Sequence, residues 1–257
     1  MTKQRRIAGY AQLSLLLVAG AIGTSALMLA PRLAGAVPSL VSVKGIVELV
    51  NTRAGKSAAS SSRDASGVVV WLEAMDASSQ RGIRARRLMR QQGKRFIPHV
   101  LVTEVGTEVD FPNEDPFFHN VFSIFDGRRF DLGLYASGET RPVAFNRPGV
   151  SYIFCNIHPQ MSAIVVALQT PYHAVTDNRG SFLMGSVPEG RYRLEFWHER
   201  STQEFLATLA RELQFGAGGL DLGVIRLSEE GFIPQPHRNK HGEEYDSRRN
   251  LPAYRKP

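Results

Sequence analysis

From residue 40 onward, apolar positions fall into short runs or alternate with polar ones, and turn residues punctuate them. "RYRLEFW" (191–197) alternates, with Tyr192, Leu194 and Phe196 on one face. Val68-Val69-Val70-Trp71-Leu72 is a continuous run rich in β-branched residues, and "SYIFC" (151–155) and "AIVVAL" (163–168) are two more. Residues 96–111 hold two β-rich pieces, "FIPHVLVTEV" and "TEVDF", around Gly106. Pro112-Asn113, Asp126-Gly127, Pro148-Gly149, Asp177-Asn178-Arg179-Gly180 and Pro188-Glu189-Gly190 mark turns between them. Strands at this spacing predict an all-β chain of sandwiches or barrels. One helix is predicted, "STQEFLATLAREL" (201–213), with Ser201 as its cap and Glu204 at the capping-box position.

Three segments break the pattern. "AGKSAASSSRDASG" (54–67) is small and polar and reads as a mobile loop. "RGIRARRLMRQQGKR" (81–95) is strongly basic without an acid, either a solvated surface segment or a docking patch for an acidic partner or membrane surface. The tail from Gly231 is polar with scattered prolines.

The first 36 residues follow a different plan. Lys3, Arg5 and Arg6 precede a long apolar run, and Ala34-Gly35-Ala36 offers a small-residue cleavage site. This is the layout of a signal peptide, and the run is also long enough for an uncleaved membrane anchor. Arg5-Arg6 matches a twin-arginine signal only weakly. Both readings export the rest of the chain, to the periplasm or the outer face of the inner membrane. The segment also holds four of the positive charges behind the net +7, so the remainder carries only +3. That balance does not argue for a nucleic-acid partner.

Candidate chemistry centres on "SYIFCNIHPQM" (151–161), which contains the only cysteine of the chain. An exported chain with one cysteine forms no internal disulfide, so Cys155 is a packed thiol, an intermolecular bridge, a reactive group or a ligand. Cys155, His158 and Met161 place a thiolate, an imidazole and a thioether within seven residues. Soft sulfur with imidazole favours copper, and two histidines, one cysteine and a weak axial methionine make an electron-transfer copper site. The second histidine must come from elsewhere, and His119 in "FPNEDPFFHNVFS" follows a strand-like stretch ending at Phe111. In this arrangement a strand delivers Cys155, Pro159 fixes the path of a short loop, and His158 and Met161 reach one ion from that loop. His99 reads as structural, and His173, His198, His237 and His241 are unassigned.

At these residues the chain resembles the cupredoxins, the small blue copper proteins. Cys-x2-His-x2-Met is the short ligand loop of amicyanin-like members, while plastocyanin-like members have a longer gap before the methionine. "GTEVDFPNEDPFFHNV" is similar to the strand and loop that deliver the first histidine. The resemblance covers about residues 88–168 and implies a Greek-key β-sandwich holding one type 1 copper by His119, Cys155, His158 and Met161. It also implies that Asn120 hydrogen-bonds across to the ligand loop and holds the two loops together. One departure stands out: Asn156 follows the cysteine where Ser or Thr is common. The wider resemblance is to the cupredoxin-domain proteins called methylamine utilization proteins.

"AVTDNRGSFLMGSVPEGRYRLEFWHE" resembles a second pattern, that of the carboxypeptidase-regulatory-like β-sandwiches, which are usually non-catalytic. "VSVKGIVELV" and "SGVVVWLEAMD" are similar to that family's first strand pair, yet they lie before the copper unit. The expected organisation is therefore a leader or anchor (1–36), first strands of the regulatory-like sandwich (40–76), an inserted cupredoxin unit (88–168), the rest of the regulatory-like sandwich (170–228) and a polar tail (229–257). The plain alternative assigns 40–76 to the cupredoxin unit itself.

Four function classes compete. A one-electron carrier needs a redox protein partner, a route out through the His158 edge, and an apolar surface such as Phe117, Phe118, Pro159 and Ala163. A copper chaperone, store or sensor would present an open or Met-rich site, and the six methionines form no cluster. A multicopper oxidase needs His-x-His pairs, which are missing, and no Ser-His-Asp, P-loop or paired-carboxylate pattern occurs, so the chain is not expected to be an enzyme. A purely structural sandwich leaves the four ligand types unexplained. The expectation is the electron carrier, attached to a membrane only through the N-terminal segment if that remains, with copper handling as the alternative.

Overall fold

The structure, a computed structural model, describes residues 39–50, 64–76, 85–124, 127–230 and 238–244. The expected leader or anchor, most of the 54–67 loop, the start of the basic segment, His237 and most of the tail lie outside these residues. Strands dominate, as the apolar pattern predicts.

Strand β1 (Leu40–Val50) buries Val41, Val43, Val47 and Leu49 and exposes the residues between most of them. This period of two gives it one apolar face. It runs antiparallel to β14 (Ser181–Pro188) and parallel to β17 (Leu220–Ser228). A second sheet has the order β13 (His173–Val175), β2 (Val69–Ala74), β15 (Gly190–Trp197) and β16 (Arg211–Phe215). Val43, Leu49 and Leu227 of the first sheet share a core with Val70, Leu72 and Leu194 of the second. Residues 40–50 and 69–74 thus hydrogen-bond to strands drawn from 173–228.

The chain between them forms another two-sheet sandwich. Its short sheet has the order β10 (Thr140–Phe145), β7 (Thr107–Pro112) and β3 (Arg87–Leu88). Its five-stranded sheet has the order β6 (Val100–Glu104), β12 (Ser162–Leu168), β11 (Gly149–Phe154), β8 (His119–Ser123) and β9 (Phe130–Tyr135). Phe111, Tyr135, Phe145, Ile153, Cys155 and Met161 lie in the core between these sheets. β4 (Arg90–Gln91) and β5 (Phe96–Ile97) form a small ribbon beside it, and the predicted strand "FIPHVLVTEV" is broken at Pro98 and His99.

Strand β12 joins the two sandwiches. Ala163, Val165 and Ala167 face the core shared with Cys155, while Ile164, Val166 and Leu168 pack with Val69 and Trp197 of the other sandwich. Both faces are covered, which is why "AIVVAL" shows no alternation.

The predicted helix is much shorter than 201–213. Helix α1 spans Gln203–Leu209, and its cap is Thr202, whose side chain accepts from the Phe205 amide. Ser201 instead donates its hydroxyl to the Ser228 carbonyl, and Glu204 falls one position short of the capping-box site. Ala210 turns to an extended backbone, and Arg211–Phe215 become β16 by pairing with the free edge of β15. The pairing with β15 overrides the helical spacing of "LAREL".

Candidate metal centre

Strand β11 ends at Phe154, and Cys155 follows with its side chain in the core. The loop after it is tight. His158 and Met161 close a four-residue turn through a Met161 amide to His158 carbonyl bond of 3.0 Å. Pro159 sits at the second position of that turn, where its fixed φ is already correct. The Cys155 amide donates to the Met161 carbonyl at 3.1 Å, so the loop returns to its starting point. Met161 is buried in the same apolar cluster as Cys155.

His119 opens β8, the neighbour of β11 in the same sheet. Its Nδ1 lies 3.7 Å from Cys155 Sγ, and His158 Nδ1 lies 3.5 Å from the same sulfur. The three donor atoms fall within 4.8 Å of one another, the single such group among the described residues. The sequence-predicted His119, Cys155 and His158 are therefore brought together, and Met161 lies at the end of the same loop.

These distances fit one ion. A sulfur at ~2.3 Å and a nitrogen at ~2.0 Å from a metal, ~110–120° apart, are separated by about 3.5–3.8 Å. A thiol hydrogen, in contrast, can satisfy only one of two facing nitrogens. His119 Nε2 meets the Asp115 carboxylate at 2.8 Å, so it carries the hydrogen and Nδ1 keeps its lone pair toward the sulfur.

Asp115 is held as firmly as the histidine it orients. The left-handed backbone at Gly93 (φ 61) and Lys94 (φ 56) turns two successive amides onto its carboxylate, at 2.7 and 2.9 Å. Asn113 shapes the loop between β7 and β8, accepting from the Asp115 amide and donating to the Phe117 and Tyr135 carbonyls. The basic segment thus reaches the site through its backbone. Its described arginines partly pair with acids, Arg86 with Glu108 and Asp110, and Arg90 with Glu114.

The electrostatics favour neutral donors in the metal-free protein. Burial, then the neighbouring His119 and Lys94, push His158 down to about 4. Burial also lowers His119, against the opposing pull of Asp115. Burial pushes the Cys155 thiol up, opposed by the amides of Asn120, Ile157 and His158.

Asn120 meets the ligand loop through its main chain, its backbone amide facing the Cys155 sulfur. Its side-chain amide donates to Asp131 of β9 at 2.7 Å rather than to the ligand loop. Asn156, the unusual residue after the cysteine, instead accepts from the Lys240 amide at 2.9 Å. Sequence reasoning missed Asp115, Asp131 and Lys240. Only Asp115 left a signal, four residues before His119.

Around the site, Phe117 packs on both His119 and His158, with ring centroids 5.2 and 5.8 Å away. Phe118 and Ile157 are exposed, and Pro159 is half-buried. Ala163, expected at this surface, is 1% exposed because it points into the core from β12. His99 bonds Glu199 and the Ser162 carbonyl, away from the metal group.

No protein-family model and no curated protein matches the chain. Among solved structures, it is similar to a Cu-containing nitrite reductase from Thermus scotoductus SA-01, at 28% identity and a TM-score of 0.32 over 38% of this chain and 25% of that one. It is also similar to a purple cupredoxin from Nitrosopumilus maritimus, at 24% identity and a TM-score of 0.29 over 33% of this chain and 99% of that one. A reduced amicyanin mutant aligns at 17% identity and a TM-score of 0.31, over 38% of this chain and 99% of that one. The match thus spans a quarter of the nitrite reductase and nearly all of the two smaller proteins.

Proposed function

We propose that this chain is an exported type 1 copper protein that carries single electrons between redox partners. The observation that carries the reading is the meeting of His119 Nδ1 and His158 Nδ1 on one buried sulfur, at 3.7 and 3.5 Å. Two imidazoles, one thiolate and a thioether in the same loop are the donor set of an electron-transfer copper site. The cupredoxin resemblance of the His119-Asn120-Val121 and Cys155–Met161 motifs supports the same reading.

Bound there, copper would supply a one-electron couple. The residues of the chain supply the rest. Asp115 fixes the ring of His119, the closed 155–161 loop fixes Cys155 and His158, and both sheets exclude water from the sulfur. Few groups need to move when charge changes, which favours rapid transfer. His119 and Cys155 are fully buried, whereas His158 is half-exposed, so its edge is the exit toward a partner. Phe118 and Ile157 provide an apolar rim there. Met161, buried in the same cluster as Cys155, would offer its thioether as a further ligand, and no catalytic role is proposed. The signal-like first 36 residues support export to the periplasm or the outer face of the inner membrane.

Cycling the copper-loaded protein between ascorbate and ferricyanide in the presence of a Cu(I) chelator tests this reading. Repeated, reversible one-electron cycling with the copper retained is expected. Rapid surrender of Cu(I) to the chelator would replace it with copper delivery or storage.

A further inference from the structure

Residues 238–244, far along the chain from either ligand loop, form a small self-supporting turn. Asn239 organises it: its side-chain oxygen accepts from the His241 and Glu243 amides, both at 2.9 Å. Its own amide donates to the Glu243 carbonyl, and Gly242 adopts φ 80 to let the chain return. Such an Asn-directed turn with a left-handed glycine is locally determined. Lys240 stands at its tip.

Lys240 makes two contacts on the sandwich that carries Cys155. Its amide donates to Asn156 Oδ1 at 2.9 Å, one residue after Cys155. Its ammonium donates to Asp131 Oδ2 at 2.8 Å. The other oxygen of Asp131 accepts from the Asn120 side chain at 2.7 Å, one residue after His119, and from the Gly133 amide at 2.9 Å. A single side chain and its amide therefore connect the residue following the cysteine with the residue following the first histidine. A side-chain bond from Asn120 to the ligand loop, the bridge implied by the resemblance, is not made here; Asn120 meets that loop only through its backbone amide, at the Cys155 sulfur.

We propose that Lys240 is a positioning residue for the metal centre and that residues 238–244 act as a strap, holding the Cys155 loop and the His119 strand at their mutual distance through Asn156 and Asp131. The consequence for copper rests on the function proposed above; the mechanical role does not. Asn156 has a side-chain acceptor that reaches the strap, which accounts for an asparagine at this position.

The test uses the full-length, metal-free protein and amide hydrogen exchange. In Lys240→Ala and in Asn156→Ala, amides of residues 156–161 and 120–122 should exchange at least about fivefold faster than in the parent chain. Strands β1, β2 and β15 should not change. The double variant should exchange no faster than the quicker single one, because both break one connection. Lys240→Arg, which keeps the amide and a cationic donor, should restore most of the protection. Unchanged exchange at 156–161 in both single variants, with the turn itself loosened, would overturn the proposal. So would fully additive effects. Because the readout precedes metal loading, failure to bind copper would sink the proposed function and leave this result standing. If copper does bind, its release to a chelator should accelerate in the same two variants and recover in Lys240→Arg.

Discussion

Asp115 Oδ2 lies 2.8 Å from His119 Nε2, and both side chains are buried. The carboxylate decides which nitrogen of the ring carries hydrogen and therefore which one faces the sulfur. Carboxylates behind metal-binding histidines raise ligand basicity and lock orientation, and losing one typically costs ten- to hundredfold in metal affinity. Asp115→Ala should weaken copper binding by about that factor in a chelator competition, with Asp115→Asn intermediate because it still accepts through its amide oxygen. Equal affinity in Asp115→Ala would show that the ring is held by packing alone.

Metal uptake should release protons in a telling number. His158 is pushed down to about 4, so its imidazole is already neutral at pH 7, and burial lowers His119 in the same direction. The thiol, raised by burial, still holds its hydrogen. Loading at pH 7 should therefore release about one proton per chain, from Cys155. Calorimetric titration in two buffers of different ionisation enthalpy measures that number. Cys155→Ser should abolish the release.

Away from the site, two histidines should give stability opposite pH dependences. Burial and Arg200 push His198 down to about 4, from an ordinary 6.5. The unfolded chain then gains its proton first as pH falls, so the stability His198 contributes is present above 6.5 and lost on the way down to about 4. Between pH 7.5 and 5 that amounts to about 2 kcal/mol, and His198→Gln should remove this slope in urea titrations. His99 acts the other way. Both its nitrogens face acceptors, the Glu199 carboxylate and the Ser162 carbonyl, and the Glu199 bond raises its pKa. Its contribution is full below 6.5 and fades as pH rises through its raised folded value. His99→Gln should flatten the alkaline side.

The second sandwich has a point intolerant of any side chain. Gly180 adopts φ +78, and a Cβ there would come within 1.9 Å of the Val47 carbonyl oxygen. The same residue accepts from the Val47 amide at 2.8 Å, so the backbone cannot simply move away. Gly180→Ala should destabilise the protein by more than about 2 kcal/mol, read as a lower denaturation midpoint, with the Cu–thiolate spectrum of the surviving folded protein unchanged.

The parts legible in the sequence are the local ones. Cys155, His158 and Met161 share one loop, and turn chemistry at Pro159 shapes it within a few residues. Strands such as 40–50 reveal themselves by a period of two. Tertiary pairing is what the sequence hides. "LAREL" carries helical spacing, yet Leu213 and Phe215 also suit a strand, and the open edge of β15 claims residues 211–215. The Asn120 side chain could have bonded the ligand loop, but it donates to Asp131 on β9 and leaves that contact to its backbone amide. Lys240 gives no motif at all, because its partner Asn156 lies 84 residues earlier. Ala163 looks like a surface residue beside the loop and is buried because β12 has cover on both faces.

We propose that His119, Cys155 and His158 close on one redox-active copper. Visible absorption of the full chain after one equivalent of Cu(II), beside Cys155→Ser, tests it most directly. Intense blue or green absorption that saturates at one copper per chain, bleaches with ascorbate and vanishes in the variant is the predicted result. A protein that stays colourless and binds no copper would rule out a copper site at these residues.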